Sequence, residues 1–321
     1  MDEPGDRRSH QVSTPSLGGI GIFAGVVFSV IMWTPFQVFG DLQFILCAFI
    51  ILFLIGAKDD IDPVSPTKKI GGQIFAAAIL VFKAHIKITS LYGIFGIFAL
   101  PEVVSIVLSI FTIVVIINAF NLIDGINGLA ASTGILMSFI FGTWYYLVSK
   151  PELAVLAFSL AGATLAFLRF NLTPAKIFMG DTGSLLLGLV ASILALSFID
   201  NQALAAGTPL YFPAAPSFAI AVLILPLFDT ARVIAVRLIL RRSPFQPDRN
   251  HIHHLMIDSG YSHMQATFIL IFVNLIFIAV AYFMQPFGNL VSIFVITVIG
   301  LLGSHFLHKR VLRKSARLIL L

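Results

Sequence analysis

Long apolar runs recur along the chain, separated by short polar stretches. A helix crosses a bilayer with about 20 apolar residues, within a range of roughly 17 to 25. On that measure the pattern predicts ten spans, at residues 17–33, 42–57, 70–82, 103–120, 129–147, 153–170, 184–199, 218–240, 265–283 and 290–307. The third is short. Residues 86–101 (IKITSLYGIFGIFALP) mix glycine, aromatic and β-branched residues, and read as a short external hairpin or re-entrant segment instead of a span. No linker, low-complexity stretch or repeat of fixed period divides the chain, so residues 1–321 are read as one all-α, polytopic membrane domain.

Composition makes the membrane reading hard to avoid. With 58% hydrophobic residues, 11% charged residues and a mean hydropathy of +1.00, this chain cannot hide its apolar surface in a soluble core. Cys47, the single cysteine, lies inside an apolar run, which excludes an internal disulfide and a cysteine-based zinc site. The first apolar run starts near Leu17 without a clean small-residue cleavage site, so it reads as a span and not as a signal peptide.

Charge then gives the orientation, because lysine and arginine are retained on the cytoplasmic side. With the N-terminus inside, Arg7, Arg8, Lys58, Lys68, Lys69, Arg169, Lys176, Arg232, Arg237, Arg241, Arg242, Arg249, Lys309, Arg310, Arg313, Lys314 and Arg317 face the cytoplasm. Lys83, Lys87 and Lys150 are the remainder of the 20 basic residues and fall outside. A miscount of one span would scramble this asymmetry. Retention at one face accounts for the net charge of +5 without invoking nucleic acid.

Four polar clusters fall on that same cytoplasmic face: Lys58 to Asp60, Asn118 to Asn127 (NAFNLIDGIN), Met179 to Ser184 (MGDTGS) and Asp248 to His254 (DRNHIHH). Adjacent Asp59 and Asp60 repel each other and call for a positive partner, unless they belong to an ordinary solvated loop. Lys69 and Gln73 are four apart and share a helix face directed to the same place. Asn118, Asn121, Asp124 and Asn127 recur every three residues, on one side of a helical turn. Capping by Asp124 or Asn127 explains one of the four. Asp181 or Thr182 could likewise cap the seventh span; but odd-numbered spans start at the cytoplasmic face, where their positive dipole ends favour phosphates and carboxylates. The run Arg249, His251, His253, His254 offers imidazoles, which could take zinc, beside carboxylates better suited to magnesium; contact with a nucleotide diphosphate or a plain basic loop are the other readings. Asp229 and Arg232 lie within the eighth span just after Pro226, either as an i,i+3 ion pair or as functional groups at membrane depth. Gly18, Gly19 and Gly21 lack the context of a phosphate loop and suit close helix packing.

In this order, the segments RRSHQVSTPSLGG, DDIDPVSPTKKIGGQ, NAFNLIDGINGLA, KIFMGDTGSLLLG and PFQPDRNHIHHLMIDSGY make the chain resemble the polyprenyl-phosphate N-acetylhexosamine-1-phosphate transferases, glycosyltransferase family 4. The resemblance implies transfer of a sugar 1-phosphate from a UDP-N-acetylhexosamine to undecaprenyl phosphate, with release of UMP, at the cytoplasmic face of a bacterial inner membrane. It implies Asp59, Asp60 and Asp181 as catalytic and metal-binding carboxylates for Mg²⁺, or Mn²⁺ in its place. Lys69, Asn118, Asn121, Asp124, Asn127, Arg249, His251, His253 and His254 are implied as substrate-binding residues; the oligomeric state stays open, a homodimer being one option. Asn127 stands where many relatives carry a second aspartate. The family usually has one further span before the Arg7 segment, so the chain is expected to lack the first of them.

The HIHH form is similar to the branch that transfers N-acetylglucosamine 1-phosphate, with the peptidoglycan-type phospho-MurNAc-pentapeptide transferases as the alternative. A secondary transporter would place ionisable groups near the bilayer midplane and show a repeat between its halves. A CDP-alcohol phosphotransferase would need its own aspartate-rich motif along a helix. Neither feature is present in the sequence.

Overall fold

The computed structural model describes residues 14–241, 243 and 250–319. Its helices are α1 (Gly18–Trp33), α2 (Leu42–Ile61), α3 (Pro66–Phe82), α4 (Glu102–Ile123), α5 (Leu129–Leu147), α6 (Pro151–Asn171) and α7 (Gly180–Asp200). They continue with α8 (Ala215–Val222), α9 (Ile224–Ile239), α10 (Ile252–Asp258), α11 (His263–Phe283) and α12 (Gly288–Ile319). An antiparallel hairpin of β1 (Ser90–Ile94) and β2 (Ile97–Ala99) fills the segment read as a hairpin from sequence.

A helix stands at each of the ten predicted positions, but the eighth is broken: α8 and α9 meet at an angle of 86°. Among the described residues five helical stretches are long and apolar enough to cross a membrane by themselves, six if the bent pair is one span, so the predicted ten are not reached by that measure. This is nonetheless the helical architecture of an integral membrane protein, whose apolar side chains face outward in number, Phe28, Leu54, Phe111 and Phe268 among them.

The break has a local cause and a distant support. Pro226 has no N–H to give to the carbonyl one turn earlier, and its ring crowds that carbonyl. The fully buried Asn274 of α11 repairs the gap, its Nδ2 donating to Ala221 O at 3.0 Å and Val222 O at 3.3 Å. In a membrane such freed carbonyls need a protein partner.

At the centre is α7, buried at every residue from Thr182 to Ile199. It is apolar on all sides, as a helix surrounded by other helices must be. Its first turn is approached closely by α1 and α2 through glycines. A Cβ on Gly19 would lie 2.2 Å from Gly183 N, and one on Gly56 would lie 2.5 Å from Thr182 Cα. Gly18 is similarly crowded by Phe167, whereas Gly21 has open space around it. Helix packing is therefore what Gly18 and Gly19 serve, as expected.

The two ends of the bundle differ. One carries the hairpin and an aromatic cluster: Trp144 Nε1 donates to Leu210 O at 2.9 Å, Tyr92 Oη to Ile199 O at 2.7 Å, and Asn289 Nδ2 to Tyr92 O at 3.0 Å. At the other end the polar clusters meet.

Candidate active site

Helix α2 ends in Asp59 and Asp60, and the two carboxylates face different tasks. Asp60 Oδ1 accepts from Asp181 N at 2.7 Å, while Oδ2 accepts from Thr182 N at 3.1 Å and Thr182 Oγ1 at 2.6 Å. Helix α7 has Met179 at its N-cap position and no side-chain cap of its own, so Asp60 caps it from a neighbouring helix. Asp181 and Thr182 therefore do not cap α7, and Asp60 and Asp59 meet different partners. Burial raises the Asp60 pKa despite these donors, with the charge of Asp59 adding to the effect.

Asp59 instead accepts from Val64 N at 2.6 Å through Oδ1 and from Lys69 Nζ at 3.2 Å through Oδ2. Lys69, in the first turn of α3, also forms an ion pair with Asp181 Oδ2. Thus one ammonium links α2 and α7 through two carboxylates, giving the aspartate pair the positive partner it required. Asp181 Oδ1 accepts from Asn121 Nδ2 at 2.9 Å, and the same amide reaches Ser184 Oγ at 2.9 Å. Asn118 and the buried Gln73 pair with each other, Asn118 Nδ2 donating to Gln73 Oε1 at 2.6 Å. That satisfies two amides beside the site and turns Gln73 to Asn118, not to the carboxylates.

Asp124 follows the last residue of α4 and faces the same locus. It is partly exposed at its surface, yet protein crowds it closely; this desolvation, followed by the charge of Asp60, pushes its pKa up to about 8. No hydrogen-bond or ion-pair partner is seen for its carboxylate among the described residues. Asn127 points elsewhere, its Nδ2 donating to Thr173 Oγ1 at 3.0 Å and its carbonyl accepting from Thr267 Oγ1 at 2.8 Å. Neither Asp124 nor Asn127 caps α5: Gly128 occupies that position with φ +79°, a left-handed backbone that favours glycine, and its N–H goes to Asn171 Oδ1 at 2.7 Å.

The histidines stand on and just before α10, a helix too short and too polar to be read from periodicity. His251 and His253 stack at 5.7 Å and 11°, and His253 lies 4.3 Å from His254 between ring centres. His253 is buried, and burial first, then the neighbouring His254, pushes its pKa down to about 3. It stands as a neutral ring. Its Nε2 has no hydrogen-bond partner and abuts Gly125, where an added Cβ would lie 2.2 Å away. This contact brings the histidine segment against the turn that carries Asp124. Arg249 lies outside the described residues.

All four clusters thus converge, joined by Lys69, Asp60 and the Gly125 contact. Thr182, read from sequence only as a candidate cap, joins them as a donor to Asp60, and Ser184 joins them without having been singled out, although it belongs to the MGDTGS motif that could have pointed to it. Asp59, Asp60 and Asp181, beside a protonated Asp124, are offset by Lys69 alone among the cations seen to contact them. That excess of negative charge, with oxygen donors throughout, suits a hard divalent cation such as Mg²⁺ more than zinc. As the side chains stand, no group of three or more His, Cys, Asp or Glu among the described residues is gathered to hold a metal ion.

Comparison with known proteins places this geometry in context. Residues 42–199, which hold the Asp59, Asn121 and Asp181 clusters, match glycosyl transferase family 4. The chain is 32% identical over 93% of its length, and 81% of the relative's, to a Bacillus subtilis (strain 168) protein named "Probable undecaprenyl-phosphate N-acetylglucosaminyl 1-phosphate transferase". It is 30% identical over 84% of its length to the undecaprenyl-phosphate alpha-N-acetylglucosaminyl 1-phosphate transferase of Yersinia pestis, of which 73% is covered. A decaprenyl-phosphate N-acetylglucosaminephosphotransferase of Mycolicibacterium smegmatis is 31% identical over 83% of this chain and 71% of its own. With its motif order, its membrane helices and the meeting of those motifs at one end of the bundle, the chain belongs to glycosyl transferase family 4, as a membrane sugar-phosphate transferase.

Proposed function

We propose that the protein transfers N-acetylglucosamine 1-phosphate from UDP-GlcNAc to undecaprenyl phosphate, releasing UMP and starting a lipid-linked envelope glycan. The observation that carries this reading is the Lys69 bridge between Asp59 and Asp181, with Asn121 on the second oxygen of Asp181. It collects charge-neutralising groups from α2, α3, α4 and α7 beside the positive end of a helix, as transfer between phosphates requires. The relatives' names supply the sugar and the lipid.

In the proposed reaction an oxygen of the lipid phosphate attacks the sugar-linked phosphorus, and the bond to the UMP oxygen breaks. A phosphate monoester has a second pKa near 6, as a general value, and is largely dianionic at pH 7, so it needs little help from a base. Lys69 neutralises charge on the diphosphate, and Asn121 holds Asp181 in orientation. Asp181, with Asp59 and Asp124, would hold Mg²⁺, which supplies charge stabilisation to the transferring phosphoryl group when bound. Asp60 keeps α7 in register so that Asp181 is presented. We place all ten spans across the bacterial inner membrane, with this end of the bundle in the cytoplasm.

The test is Mg²⁺-dependent release of UMP by purified protein given UDP-GlcNAc and undecaprenyl phosphate. Asp181→Asn is expected to lower turnover at least 100-fold, about the size of one lost charge-stabilising contact, while leaving membrane insertion intact. Normal turnover by that variant removes the role given to Asp181; release independent of lipid removes the reaction.

A further inference from the structure

Asp229 lies in α9, three residues after Pro226, and is buried with 3% of its surface exposed. From sequence its role is either an ion pair with Arg232 or a functional group at membrane depth. The structure gives it more than the ion pair. Its Oδ1 accepts from Arg232 at 2.9 Å and from Ile252 N at 2.9 Å, and its Oδ2 receives His251 Nδ1 at 2.8 Å. Arg232 also donates to Asn250 O, so the residues entering α10 are clamped to α9 by two side chains. Helix α10 has His251 at its N-cap position with no side-chain cap of its own, and Asp229 meets its first helical N–H from outside.

We infer that Asp229 is a positioning residue for His251: it holds the proton on Nδ1 and fixes the ring, leaving Nε2 as the acceptor that His251 offers to a hydroxyl or N–H of the nucleotide sugar. This rests on the reading that the histidine segment meets the nucleotide diphosphate. The chemistry follows from the donor inventory. A carboxylate only accepts, so the nitrogen beside it must carry hydrogen. An asparagine at 229 has nearly the same shape and can still accept from Ile252 N, but it turns an N–H toward His251 when its oxygen serves Ile252. Nδ1 must then accept, and the proton moves to Nε2. The variant keeps the clamp and reverses the tautomer.

Two measurements on the full-length protein test this. In ¹⁵N-histidine NMR, with His251 identified by its loss in His251→Ala, the wild type is expected to carry hydrogen on Nδ1, and Asp229→Asn on Nε2. A wild-type ring protonated on Nε2 alone overturns the inference without any Asp229 variant. In the UMP-release assay Asp229→Asn is expected to lower kcat/KM by about 10- to 100-fold, the usual cost of losing a residue that orients an active-site histidine. Because Asp229 acts through His251, adding Asp229→Asn to His251→Ala should cost little more than His251→Ala alone. Full additivity would mark a purely structural residue and overturn the inference, as would wild-type kcat/KM in Asp229→Asn. A wild type that releases no UMP from any UDP-sugar would defeat the functional reading, and the NMR result would still decide the role of Asp229.

Discussion

Among the carboxylates at the site, Asp124 has the least compensated charge. Crowding by protein and the charge of Asp60 lift its pKa from 3.8 to about 8, so at neutral pH the folded, metal-free chain holds a proton there that the unfolded chain releases. A carboxylate with a raised folded pKa favours the folded state most below its unfolded value and loses that contribution as pH rises through the folded value. Metal-free wild type should therefore lose thermal stability between about pH 4 and pH 8, with Asp124→Asn showing a flatter profile. If Asp124 helps hold Mg²⁺, the cation should restore stability to the wild type at pH 8 far more than at pH 5, where binding must displace the proton, and do little for the variant. Melting curves with and without Mg²⁺ at both pH values decide the matter: identical profiles for the two proteins would show that Asp124 carries no strained charge. The spacing of Asn118, Asn121, Asp124 and Asn127 made this turn legible as one polar face. It did not reveal that Asn127 would be drawn away by Thr173, or that Asp60 would cap α7, since both depend on partners distant in sequence.

Among the elements, the bend between α8 and α9 connects the membrane core to the histidine segment. Pro226 was visible in the sequence, yet a proline alone does not decide between a mild kink and a break of 86°. What permits the break is Asn274, whose amide takes both freed carbonyls from a helix about fifty residues further on. Asn274→Leu keeps approximate size and removes that donor, leaving Ala221 O and Val222 O without it in an apolar setting. The cost should be about 1–3 kcal/mol, read as a lower melting temperature in detergent. Activity should fall as well, because α9 carries Asp229 and, through it, the start of α10. A variant with unchanged melting temperature and turnover would show that water or relaxed backbone supplies the missing partner. Helix α10 illustrates the opposite limit of legibility: its seven residues carry no apolar period of their own and are held from outside.

At the scale of the whole molecule, the apolar runs located every long helix, because a run's length is a property of the local sequence. The hairpin was legible for the same reason, from its glycine and aromatic content. Orientation in the membrane is different, since it depends on where basic residues end up after the chain has folded. Lys58, Lys68, Lys69, Arg169, Lys176, Arg232 and Arg310 all belong to segments that the structure gathers at the end holding Asp59, Asp181 and the histidines. Lys83, Lys87 and Lys150 belong to the end holding the hairpin and the aromatic cluster. Because lysine and arginine are retained in the cytoplasm, the end holding these carboxylates should be cytoplasmic, where nucleotide sugars are made. Single cysteines on a Cys47→Ser background test this. Ser65 is exposed in the α2–α3 loop beside the site, and Ala206 is exposed between α7 and α8 at the other end. A membrane-impermeant maleimide added to intact cells, with the outer membrane permeabilised where there is one, should label Ala206→Cys and leave Ser65→Cys unlabelled until the inner membrane is broken. The reverse pattern would place the carboxylates outside, away from UDP-sugars, and would overturn both the orientation and the proposed donor together. Labelling of both before lysis would mean that one of the intervening helices does not cross, which is the point at which the ten-span topology is most open to challenge.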